Sequence, residues 1–102
     1  MKVKFNQKLH GVDGLPLKAD KGRDLTLRDV SISSVLGPAG NRPEDDTDEK
    51  KYHRFELYKK IKDNKDEVDL TTTEIAEIKK AIGKHQPALI MGQCWDYLEN
   101  KT

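Results

Sequence analysis

Hydrophobic residues in this chain recur first with a period of two and then with a period of three to four. Val3, Phe5 and, after a polar break, Leu9 alternate with Lys4, Asn6 and Lys8. The turn-rich stretch HGVDG follows, and Leu15 and Leu17 alternate again in LPLKA. Period-two patterning on both sides of a Gly/Asp turn predicts a β-hairpin. Pro16 places the second arm at an edge, because proline has no N–H to give to a ladder. ADKGRD predicts a second turn around Gly22.

TLRDVSISSVL, residues 26–36, begins with Thr26 and Asp29 in a capping arrangement and runs into Gly37-Pro38, a helix stop. Its Val30, Ile32 and Val35 are β-branched, so a helix is the favoured reading and a short strand its rival. DEKKYHRFELYKKIK, residues 48–62, predicts the clearest single helix, with Leu57, Ile61, Tyr58 and Phe55 on one broad face and Tyr52 on its flank. EVDL adds a short strand. Thr71 and Glu74 then form a capping box, Ile75, Ile78 and Ile82 keep helical spacing, and Gly83 suits a left-handed C-terminal cap. Pro87 suits a first helical residue. Ile90, Met91, Cys94 and Leu98 make the next stripe, with Trp95 beside it, so the C-terminus predicts an αα-hairpin.

These elements add up to a small α+β domain covering residues 1–102: an N-terminal β-hairpin packed on three to four helices, the last two antiparallel. The core is expected to draw on Leu25, Leu27, Val30 and Leu70, on Phe55, Tyr58 and Ile61 of the middle helix, and on Ile75, Ile78, Ile82, Leu89, Ile90, Cys94 and Leu98 of the last two. Between the first two helices, GPAGNRPEDDTD (37–48) carries two prolines, two glycines and the acids Glu44, Asp45, Asp46 and Asp48, and reads as a mobile loop.

Composition narrows what such a domain can do. Hydrophobic residues make up 34% of the chain and charged residues 36%, which leaves a thin core. Nineteen basic residues stand against 18 acidic ones, without the positive excess of a protein that coats DNA. A lone cysteine forms no internal disulfide and fits a reducing cytosol. No stretch has the apolar length of a signal peptide or a membrane span, so the expectation is a cytoplasmic protein with no membrane partner.

HQPALIMGQCWDYL, residues 85–98, gathers a histidine, the only cysteine and the only tryptophan. Zinc needs three or four ligands, and His10 and His53 lie far from His85 and Cys94 in the chain. A thiol on an apolar stripe is disfavoured as a thiolate, so Cys94 reads as a small buried hydrophobe rather than a nucleophile. Asp63–Glu74 has the length of an EF-hand loop, but Lys65 and Val68 stand where a ligand and a glycine are required. No phosphate loop or nucleophile elbow is present, and Ser31, Ser33 and Ser34 are expected to face solvent or satisfy local backbone. No catalytic, cofactor or metal residues are assigned; a pocket lined by converging titratable groups would reopen the case for an enzyme.

The two C-terminal helices imitate a helix-turn-helix, yet the outward residues of the second are Gln93, Asp96 and Glu99, which do not suit a DNA groove. Basic residues cluster instead on the helix at 50–62, which makes nucleic acid the alternative partner. The order of elements, together with "EIAEIKKAIGK" and the later proline, glutamine and tryptophan of "PALIMGQCWDYLE", resembles small accessory proteins of unknown function encoded by tailed bacteriophages and prophages. Those are packing motifs and bring no site residues with them. The resemblance implies a viral accessory protein in a bacterial host cytoplasm. By elimination the leading expectation is a non-enzymatic protein that works through protein–protein contact, as a modulator or inhibitor of a host factor or an assembly accessory. Tyr52, Lys51, Arg54, Lys59, Trp95 and Tyr97 are the candidate surface, and a two-fold homodimer through the last helix is a hypothesis if Trp95 or Tyr97 is exposed there.

Overall fold

The structure is a computed structural model and describes residues 1–19, 22–37, 47–63 and 66–100. It has the α+β architecture: β1 (Lys2–Lys4), α1 (Leu27–Leu36), α2 (Asp48–Lys62), β2 (Glu67–Asp69), α3 (Thr72–His85) and α4 (Ala88–Leu98). The acidic stretch expected to be a mobile loop falls at residues 38–46 outside the described residues.

The regular ladder joins β1 to β2, antiparallel, with Val3 opposite Val68. Lys2 faces Asp69 and Lys4 faces Glu67, so KVK meets EVD with opposite charges across the pair. Phe5 N–H donates to Asp66 O at 3.0 Å and continues the contact. The expected hairpin turn is also present. Gly11 N–H donates to Leu15 O (2.9 Å), Leu17 N–H donates to Leu9 O (2.8 Å), and His10 bridges Pro16. The second arm does not extend β1. It turns back at Gly22, which has a positive φ of 76° that suits glycine. Leu25 N–H then donates to Leu17 O (2.8 Å), and Leu9 N–H donates to Leu25 O (2.9 Å). Three passages of chain thus close a ring of backbone hydrogen bonds at Leu9, Leu17 and Leu25, and the ring satisfies donors that a longer sheet would otherwise serve.

The 26–36 ambiguity resolves to helix. Thr26 Oγ1 and the Asp29 carboxylate cap each other's backbone N–H groups, and Arg23 reaches the same carboxylate at 2.8 Å. Partial burial pushes the Asp29 pKa up, but the Arg23 and Thr26 bonds outweigh it and hold it below the usual value. α1 packs on α2, α3 and α4. That central place corrects the expectation for two of its serines. Ser33 is exposed and bonds Val30 O at 3.2 Å, whereas Ser31 and Ser34 are buried where small side chains let neighbouring helices approach.

α3 runs through Gly83 to His85, and its cap is Gln86, whose N–H returns to Ile82 O at 2.9 Å. Gly83 therefore lies inside the last turn of the helix. Its missing side chain leaves room for Trp95, one ring carbon of which stands 3.5 Å from where a Cβ would be. Pro87 is the N-cap residue of α4, one place earlier than expected.

Most of the expected core is buried, including Leu27, Ile61, Ile78, Ile82, Cys94 and Leu98. Val3, Phe5, Leu9, Val35, Leu57 and Val68 join it. Leu25, Tyr58 and Ile90 pack at its margin. Phe55 and Leu89 do not belong to it: they are 44% and 43% exposed. For Phe55 the reason is angular. At about 100° per residue, position 55 lies roughly 160° around the helix from Leu57.

Candidate functional site

Two features of α2 stand out, one on its outer face and one on its inner edge. Thr47 starts the helix by accepting Lys50 N–H at 3.2 Å. Asp48 and Glu49 occupy the first turn and Lys59, Lys60 and Lys62 the last, an order that suits the helix dipole. Leu57 and Ile61 anchor the inner face in the core.

Tyr52, Phe55 and Tyr58 form a row that runs from the outer face of α2 to the margin of the core. The Tyr52 and Phe55 ring centroids are 6.4 Å apart and those of Phe55 and Tyr58 are 5.9 Å apart, with tilted planes. Tyr52 is 61% exposed. Lys59 Nζ lies 5.3 Å from the Phe55 ring centre and Lys62 Nζ lies 5.6 Å from that of Tyr58. The Tyr52 hydroxyl bonds the Glu56 carboxylate, which raises the tyrosine's pKa and lowers that of the glutamate. Lys51 is exposed on the same helix. Arg54 belongs elsewhere: it is half-buried and its Nε–H donates to Val35 O at 3.2 Å, tying α2 to the end of α1.

The two aromatic candidates of α4 are engaged within the fold. Trp95 is half-buried, its Nε1–H donates to Lys79 O at 3.0 Å, and Lys79 Nζ sits 4.6 Å from the ring centre while pairing with Glu99. The Tyr97 hydroxyl donates to Lys8 O at 2.7 Å. Gln93, expected to face outward, accepts His10 N–H at 2.8 Å and donates to His10 O at 2.7 Å, so its amide stands in for a backbone partner. The condition set for a dimer through α4, an exposed Trp95 or Tyr97, is not met, since both are half-buried.

The inner edge of α2 faces a cleft of about 830 Å³ against the ends of α1 and α3. Lys50, His53 and Arg54 line it from α2, and Lys80, Lys84 and His85 from α3. His53 and His85, distant in the chain, therefore share one wall-to-wall space. His53 Nε2 is 2.6 Å from the Glu77 carboxylate, and the His85 ring packs against Gly37. This is a pocket of converging titratable groups, so its hydroxyls decide what chemistry it holds. Ser34 is buried and accepts from Gln86 Nε2 at 3.3 Å, and Thr47 serves as the α2 cap. Both take part in structural hydrogen bonds.

Cys94 is in the core, away from that lining, and burial pushes its thiol up to about 12. Among the described residues, no group of three or more His, Cys, Asp or Glu side chains is arranged to hold a metal ion, and no helix is long and apolar enough to cross a membrane. Comparisons with family models, curated proteins and solved structures found no match to this chain.

Proposed function

We propose that the protein acts by contact with another protein and that the outer stripe of α2 is the face it presents. The observation behind this reading is the row Tyr52–Phe55–Tyr58. It places half of the chain's six aromatic residues on one side of one helix, two of them exposed. Exposed aromatic rings with a charged rim are the residues that dominate binding energy in protein interfaces, and here Lys51, Glu56 and Lys59 supply the rim. Lys59 and Lys62 shield two of the rings and can swing away as a partner arrives, so the exposed patch is tolerated in water. The resemblance to small phage and prophage proteins supports a host factor or a phage component as the partner. The activity is then that of a non-enzymatic modulator, inhibitor or assembly accessory in the bacterial cytoplasm.

The test is site-specific photo-crosslinking in bacterial lysate with a benzophenone side chain at position 55 and, as a control, at position 73 on α3. A discrete protein adduct is expected from position 55 alone, lost when Tyr52→Ala is added. Equal labelling from both positions, or an adduct indifferent to Tyr52, defeats the reading.

A nucleic-acid-binding regulator is the second reading, because lysines beside aromatic rings also suit single strands. Against it, Lys59 and Lys62 already cover ring faces, and Lys60 is paired with Glu74 at 2.5 Å. Retention on heparin that falls steeply with salt and disappears in Lys51→Glu/Lys59→Glu would favour it; passage through the column at low salt removes it.

A further inference from the structure

α2 is the longest helix of the fold and the one least held by it. Of its 15 residues Leu57 and Ile61 are buried, and it packs chiefly on α1. α3, at 14 residues, buries Ile75, Ile78 and Ile82. Away from the buried pair of α2, Asp48, Tyr52, Phe55, Lys59 and Lys62 follow one another at steps of four, three, four and three residues. That spacing keeps side chains in one line along a helix and is the spacing by which two helices pack along a shared seam. All five residues are exposed. The line has aromatic rings at its middle, an acid at its start and lysines at its finish. Among the described residues Asp48 makes no ion pair. Lys59 pairs with Glu56 of its own helix at 3.4 Å, an exposed contact that counts for little in water.

We propose that a second copy of this chain covers that line, the two α2 helices lying antiparallel about a two-fold axis between Tyr52 and Phe55. The pairing uses the outer stripe already read as a contact face and rests on that reading: the second copy covers the stripe until another partner displaces it. Charge decides the direction. Parallel helices would set Asp48 beside Asp48 and Lys59 beside Lys59. Antiparallel helices bring Tyr52 of one copy against Phe55 of the other, twice, and place Asp48 against Lys59 at both ends. The two helix dipoles then oppose one another as well. Lys59, now 5.3 Å from the Phe55 ring centre, leaves that ring for Asp48 of the other copy as Tyr52 takes its place. Two features keep the pair weak and exchangeable. Glu49 and Glu56 flank the line on the same side and repel their counterparts across the pair. A helix of this length is about 22 Å long and about 10 Å across, so one face covers less than the roughly 800 Å² per partner of a standard stable interface.

The experiment is analytical ultracentrifugation of the full chain from about 1 µM to about 1 mM, where a monomer–dimer equilibrium is expected. Asp48→Lys and Lys59→Asp should each weaken it at least about fivefold, because either change sets like charges together at both ends. An equal mixture of the two variants should recover the parent's association, since one copy then carries lysine at both positions and the other aspartate at both. Phe55→Ala should leave a monomer. Unchanged circular dichroism in each variant shows that association and not folding was lost. A parent chain that stays monomeric throughout, single variants that dimerise as the parent does, or a mixture that recovers nothing overturns the pairing. The contact face itself is tested separately by the crosslink from position 55. An adduct at twice the chain mass is the second copy. A monomeric chain that still gives an adduct of another mass removes the second copy and leaves the contact face standing.

Discussion

α2 and α4 each carry aromatic residues that the sequence offers as a contact surface, and the fold treats the two sets in opposite ways. On α4, Trp95 and Tyr97 have polar atoms that reach backbone carbonyls of α3 and of the 8–10 segment, and the rings lie half-buried against the core. On α2, Phe55 has no polar handle, and Tyr52 spends its hydroxyl on Glu56 of its own helix. Nothing across the fold draws those rings inward. The difference teaches that an aromatic residue near the surface is a latch when its polar edge finds a distant backbone partner and an anchor when it does not.

The contrast can be broken most forcefully in the interior of α4. Leu98 is fully buried, so Leu98→Ala should lose about 3 kcal/mol of stability in urea unfolding. Phe55→Ala on α2 should lose about 1 kcal/mol or less. If the two cost the same, the assignment of inner and outer faces is wrong.

Next in size are the latches. Trp95→Phe keeps the ring but removes the bond to Lys79 O and weakens the lysine stacking, and should cost about 1–2 kcal/mol. Gln93→Ala leaves both His10 backbone groups without their amide partner and should cost a similar amount, about 1–2 kcal/mol. Hydrogen exchange sharpens the point, because the His10 amide should lose protection in Gln93→Ala ahead of the α2 amides.

Acid should act on the ion pairs that hold α2 and the 8–25 segment. For Glu74, burial pushes the pKa up, but Lys60 and the Thr71 cap together bring it below 4.5. For Asp24, the bonds from Lys18 and Lys8 lower it from 3.8 to about 2. Both folded values are depressed, so the stabilisation is fully present above the unfolded values and is lost as pH falls through the folded ones. A stability-versus-pH curve should drop from pH 4.5 toward pH 2. Glu74→Gln and Asp24→Asn should each flatten it, and a drop that neither changes refutes the assignment.

The smallest effect is expected at Cys94. Its buried thiol should stay unreactive toward a disulfide reagent in the native protein and titrate fully after denaturation, with Leu98→Ala speeding the native reaction. Rapid native labelling would place the α4 stripe on the surface.

Local chemistry made most of the elements legible. Thr26/Asp29 and Thr71/Glu74 are capping pairs whose geometry depends on four consecutive residues, so they could be read without a fold. The isoleucines of α3 mark one face by spacing alone. The inward place of Leu57 and Ile61 was equally readable, and measuring angles from that pair would have put Phe55 outside. The β1–β2 pairing was harder, since its partners stand more than sixty residues apart, although KVK against EVD carries a complementary charge signal. The cleft was not legible. Lys50 and His53 lie on one helix and Lys80 and Lys84 on another, and only the packing of both α2 and α3 on α1 makes them line one space.

What the sequence determined by itself is therefore the three later helices, the N-terminal capping pairs, the turn glycines and most of the residues with no choice but burial. Each follows from interactions within a few residues or from hydrophobicity, which acts on every arrangement of the chain alike. The tertiary structure alone decided which aromatic edge meets a carbonyl, which serines are enclosed and which lysines face one another. Those outcomes depend on distances between segments remote in the chain, and no local preference sets such a distance until the core has closed.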